Sequence, residues 1–105
     1  MKINAVTVRV KKAFVNEFIE EMPEKMEGFR SALLANDLET LSKQAHNLKG
    51  VSASLGAMQI SNLAFQLDQH CQNENTETVQ KLLTELESNV SIFNVEALKV
   101  LAKLT

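Results

Sequence analysis

Apolar residues recur along this chain at three- and four-residue intervals, and five such runs predict five helices. The first carries Val6, Val10, Phe14 and Phe18, with Ile19 and Met22 widening the stripe, and is expected from about residue 5 to Met22. Its opening, Val6-Thr7-Val8-Arg9-Val10, also alternates as a strand would, but no second strand-like stretch exists for it to pair with. Pro23 fits the first turn of a second helix, where its missing N–H is no loss, and Glu24 suits the positive end of the helix dipole. Met26, Phe29, Leu33 and Leu34 supply the apolar side of that helix, which is expected to end near Ala35. Asn36 or Asp37 can cap the next one, Asn36-x-x-Glu39 having the form of a capping box.

The third helix is expected from about Asp37 to Leu55, with Gly56 as a terminator of positive φ. A fourth carries Ile60, Leu63, Ala64, Leu67 and Cys71 on its buried side. Gln72-Asn73-Glu74-Asn75-Thr76 has no long apolar side chain and reads as a turn, with Asn75 or Thr76 capping the last helix. Val79, Leu82, Leu83, Leu86, Val90, Phe93, Ala97, Leu101 and Leu104 form one drifting stripe, so that helix is expected to continue to about Lys103. Helices with short links and single apolar stripes must bury those stripes against one another. The expectation is an all-α fold: an antiparallel up-down four-helix bundle with an additional N-terminal helix. All 105 residues are read as one domain.

The third helix also carries the chemistry. At about 100° per residue, Leu38, Leu41, Ala45, Leu48, Ser52 and Leu55 share one stripe, and His46 lies roughly 160° from its centre. His46 is therefore expected to face solvent. Ser42, Lys43, Lys49 and Gly50 fall within about 60° of it, which flanks the imidazole with two ammonium groups and one residue without a side chain. Glycine inside a helix costs about 0.5–1 kcal/mol relative to alanine, and nothing local demands it here. Clearance for a partner is the functional reading of Gly50; an ordinary surface histidine beside a tolerated weak point is the bland one.

The run Ala45-His46-Asn47-Leu48-Lys49-Gly50, followed by Ser52-Ala53-Ser54-Leu55-Gly56-Ala57, resembles the His-x-x-Lys-Gly signature of histidine-containing phosphotransfer (HPt) domains. Phe18-Ile19-Glu20-Glu21-Met22-Pro23, Leu34-Ala35-Asn36-Asp37-Leu38 and Leu63-Ala64-Phe65-Gln66-Leu67-Asp68 are similar to the family in order and spacing, extending the resemblance over about residues 14–93. It implies a phosphorelay carrier, in which Nε2 of His46 takes a phosphoryl group from a receiver-domain phospho-aspartate and passes it to another receiver aspartate. The implied partners are response-regulator receivers and a hybrid sensor kinase. No cofactor of the chain's own is implied, the Mg ion belonging to the receiver.

Phosphoryl transfer asks a protein mainly for positioning and for positive charge near the equatorial oxygens, which Lys49 can supply one turn from His46. Asp68 matches a position where the family often carries Glu or Gln, and is the candidate for fixing the other ring nitrogen, though its shorter side chain must reach. Phe65 lies about 200° from both Leu63 and Leu67, outside the main stripe. It is expected either to join Ala53 and Gly50 in a small apolar docking surface, with Ser42 and Lys43 at its edge, or to tuck under the N-terminal helix.

Composition narrows the alternatives. A formal net charge of −2 provides no basic field for nucleic acid and no polybasic anchor for a membrane surface. No apolar run approaches the roughly 20 residues that span a bilayer, and the single cysteine, Cys71, reads as a small core residue of a protein in a reducing compartment. A cytoplasmic protein, or the cytoplasmic part of one, is expected, and the resemblance to HPt domains implies a monomer. Without a glycine-rich nucleotide loop the chain is read as having no ATP-dependent kinase activity of its own. Competing readings are the dimerisation and phosphoacceptor module of a sensor kinase, in which His is followed by Glu or Asp rather than by Asn47, and a helical interaction or metal-binding bundle. His70, without a companion ligand at metal-site spacing, is read as structural.

Overall fold

The computed structural model describes residues 5–103, all helix and short links. The helices are α1 (Ala5–Val10), α2 (Lys12–Leu34), α3 (Leu38–Ser54), α4 (Met58–Gln72) and α5 (Thr76–Lys103). Helices α2 to α5 form a closed ring in which each packs against its neighbour in sequence and α5 returns to α2, while α1 lies against α2 and α5. This is the four-helix bundle with an extra N-terminal helix that the apolar stripes require. At about 1.5 Å per residue, α5 alone spans nearly the whole 44 Å long axis of the molecule. Leu104, the last position of its expected stripe, lies outside the described residues.

Three links share one construction. Each helix ends on a residue with positive φ, namely Asn36 (54°), Gly56 (73°) and Glu74 (55°). The following N–H then reaches back to the helix: Asp37 N–H to Ala32 O at 2.8 Å, Ala57 N–H to Ser52 O at 2.8 Å, and Asn75 N–H to His70 O at 3.0 Å. This is the Schellman arrangement, which satisfies carbonyls at the helix end. The same three residues, Asp37, Ala57 and Asn75, begin the next helices, so two residues reverse the chain. Asp37 caps α3 by accepting from Thr40 N–H at 3.2 Å and from the Thr40 hydroxyl at 2.7 Å. Those bonds hold the Asp37 carboxyl below its ordinary range. Asn36 is therefore the terminator of α2 rather than the first residue of a capping box.

The N-terminal region departs from the sequence-based expectation. The break falls at Lys11, and α2 runs through Pro23 instead of starting there. Val15, Phe18, Met22, Met26, Phe29 and Ala32 are all buried, so the apolar phase is continuous on both sides of the proline. Keeping that face in one helix outweighs the hydrogen bond that Pro23 cannot make. Val6, Val10 and Phe14 were expected inside but are exposed, whereas Val8 and Val15 are buried. Four-residue steps advance about 40° beyond a full turn, so a Val6-Val10-Phe14-Phe18 run rotates off the face that Phe18, Met22 and Met26 define. Leu34 is also exposed, and Ala32 takes its place in the core. Lys11 donates from Nζ to the Ser54 carbonyl, tying this region to the C-terminal end of α3, where a cation suits the dipole.

The closest approach is between α3 and α4. Small residues permit it: Ala45 and Ser52 on α3, and Ser61 and Ala64 on α4, all buried. Ser52, fully enclosed in the apolar stripe, donates to Leu48 O at 2.5 Å, and Ser61 crosses to Lys49 O at 3.0 Å. Neither hydroxyl is left unmet. This pairing fixes the register between the helix that carries His46 and the helix that carries Asp68.

Candidate functional site: an exposed imidazole on the α3–α4 face

His46 projects from the middle of α3 with its side chain 74% exposed. Gly50 follows one turn later, and a Cβ built there would meet nothing within 4 Å. Ala53, a further turn on, is exposed as well. Together they leave the surface beside the imidazole low and open. On the other flank Lys43 is exposed and pairs with Glu39 at 3.4 Å.

The α4 side is more densely built. The Asp68 side chain is only 10% exposed, and its Oδ2 lies 3.8 Å from Nδ1 of His46. That separation is longer than a hydrogen bond, with the imidazole on the solvent side and the carboxylate beneath it. Oδ1 of Asp68 accepts from the Ser42 hydroxyl and from Gln72 Nε2, the latter at 3.1 Å. Burial and the Asp68 charge push the neighbouring Cys71 thiol up to about 11, which keeps it protonated and inert at neutral pH. Lys49 places Nζ 5.0 Å from the centroid of the Phe65 ring, a cation–π contact that parks the ammonium on the α4 side of His46. Phe65 is 44% exposed, so it sits at the surface and not beneath the N-terminal helix.

The structure thus brings His46, Lys49, Gly50, Ala53, Phe65 and Asp68 to one region of the α3–α4 surface. Ser42 differs from its expected part in an open docking surface: it is half-buried and its hydroxyl is committed to Asp68. Gln72, assigned to a turn from sequence, is the last residue of α4, and the sequence reading missed its contact with Asp68. The four-residue spacing of Asp68 and Gln72 was the available signal. Among the described residues, no three His, Cys, Asp or Glu side chains gather as a metal site would require, and no helix is long and apolar enough to cross a membrane.

A ring of antiparallel helices that presents one imidazole to solvent beside an ammonium defines the class: a small helical bundle bearing a surface histidine site. The family model described as Hpt domain matches residues 13–98, most of the chain, and the protein belongs to that family. Its role is accordingly that of a phosphotransfer carrier in two-component signalling, where Hpt domains interact with receiver domains. No curated protein and no solved structure matches the chain.

Proposed function

We propose that His46 is the phosphoacceptor of a reversible relay between receiver domains. The observation that carries this reading is the exposed imidazole with an ammonium on one side and bare helix backbone on the other. In the forward step the lone pair on Nε2 of His46 attacks the phosphorus of a receiver's aspartyl phosphate. The P–O bond breaks, the aspartate leaves as its carboxylate with the bonding pair, and the new N–P bond leaves the ring positively charged with its proton on Nδ1. Asp68 opposes that charge from below. Lys49, swinging from the Phe65 ring, meets the equatorial oxygens of the phosphoryl group. The return step runs through the same arrangement, the ring nitrogen acting as leaving group.

Gly50 and Ala53 give the partner room, and Phe65 and Lys43 border the surface on which it settles. The Mg ion that receiver chemistry uses is supplied by the partner, and the chain works as a monomer. The test is transfer from a phosphorylated receiver domain carrying labelled phosphate. The expected product on this chain is acid-labile and base-stable, as an N–P bond is, and a second, unphosphorylated receiver removes the label. Lys49→Ala is expected to slow transfer about 10–100-fold with an unchanged melting curve, since a hydrogen bond to a charged group contributes about 1.5–3 kcal/mol. A base-labile product, or a Lys49→Ala variant that transfers at the original rate, would overturn the assignment.

A further inference from the structure

Asp68 is a carboxylate with its two oxygens in different circumstances. Oδ1 takes two donors, the Ser42 hydroxyl from α3 and the Gln72 amide from the last turn of α4. Oδ2 takes neither and is the oxygen that lies 3.8 Å from Nδ1 of His46. A free carboxylate rotates about its terminal torsion and offers its oxygens indifferently, whereas two donors on one oxygen, one from each helix, restrict that rotation. The residues sit where helix geometry makes this possible. Ser42 and His46 are four apart on α3, Asp68 and Gln72 are four apart on α4, and the close α3–α4 packing interleaves the two pairs.

The consequence falls on the imidazole. A neutral histidine carries one proton on either ring nitrogen, and the nitrogen without it is the nucleophile. In a free histidine side chain the proton prefers Nε2, which would block attack from the solvent side. A carboxylate oxygen held beside Nδ1 favours the proton there and leaves the Nε2 lone pair facing outward.

We propose that Ser42 and Gln72 are positioning residues that act through Asp68: by occupying Oδ1 they aim Oδ2 at the ring and select the Nδ1–H tautomer of His46. This deepens the relay reading, on which its catalytic meaning rests, but the tautomer is a property of the unphosphorylated protein and is measured without any partner. The charged groups around the ring do not supply the same selection. Lys43 is paired with Glu39 and Lys49 stands over Phe65, and neither cation can accept a proton from Nδ1–H.

The test is 15N NMR of the His46 ring in the whole chain at a pH where the imidazole is neutral, with the backbone amide spectrum recorded on the same samples. The parent protein is expected to show Nδ1–H as the major tautomer. Ser42→Ala and Gln72→Ala should each shift the population toward Nε2–H, and the double variant should approach the preference of a free side chain while its other amide signals stay in place. Ser42→Thr, which keeps a hydroxyl, should retain the parent population. With a phosphorylated receiver, the two alanine variants should transfer several-fold more slowly than the parent. An Nε2–H majority in the parent protein, or a tautomer ratio that the double variant leaves unchanged, would overturn the proposal. Failure of His46 to take phosphate would instead remove the relay reading and leave the tautomer result standing.

Discussion

Gly50 occupies the interior of α3 at a point where an added methyl group would meet no other helix and no side chain beyond its immediate chain neighbours. Its absence of a side chain is therefore not a requirement of packing. Replacing it with alanine should stabilise the fold by about 0.5–1 kcal/mol, because glycine is the weaker helix former. The same substitution places a methyl group one turn from His46, where the partner must approach. Gly50→Ala is thus expected to melt at a higher temperature and to transfer phosphate more slowly, read by thermal denaturation and by label transfer on one preparation. A variant that gains stability and keeps the full rate would mean that clearance at Gly50 has no part in docking.

The residues of α3 were legible from sequence because their mutual placement depends on one helix alone. Angular geometry within a single element sufficed to put His46 outward and Leu41, Ala45, Leu48 and Ser52 inward, and the structure buries all four of the latter. Residues whose partners come from another helix were not legible in the same way. Whether the short side chain of Asp68 lies near His46 depends on the register of α4 against α3, which Ser61, Ser52 and the small residues between the helices determine. That Ser42 serves Asp68 follows from the same register.

At the scale of elements, the turns show which signals a sequence carries. Gly56 announced its positive φ, and Asn36 belongs to a residue type that tolerates it, but Glu74 adopts 55° without either advantage. There the geometry comes from the need to close α4 and open α5 within two residues. Pro23 presents the opposite case, a strong local signal overridden by a continuous buried face from Val15 to Ala32. The two placements of the proline make different predictions. At the first position of a helix, Pro23→Ala would be nearly neutral; inside α2, where it forgoes a backbone hydrogen bond, the exchange should stabilise the protein by about 1–3 kcal/mol. Denaturant unfolding of Pro23→Ala against the parent chain distinguishes them, and an unchanged midpoint would contradict a helix that runs uninterrupted from Lys12 to Leu34.

Across the whole molecule, the bundle serves as a rigid platform with its chemistry on one outer face. The Phe18 and Phe93 rings meet edge to face in the core with centroids 5.3 Å apart, joining α2 to α5. Arg30 and Glu87 join the same helices at the surface through a 2.6 Å contact that holds the guanidinium above its ordinary range. These contacts lie outside the α3–α4 pair, while α3 and α4 stabilise the bundle through their buried faces, Leu41, Ala45 and Leu48 against Ile60, Ala64 and Leu67, and present His46 from the opposite, exposed side of α3. Because neither the His46 nor the Lys49 side chain belongs to the buried core, substitutions there are expected to alter transfer while leaving the fold in place. The most direct measurement is therefore incubation of the parent chain and of His46→Gln with the same phosphorylated receiver, followed by quantification of label on each. The account predicts rapid labelling of the parent and none of the variant, with both showing the same helical content; label that persists on His46→Gln would contradict it.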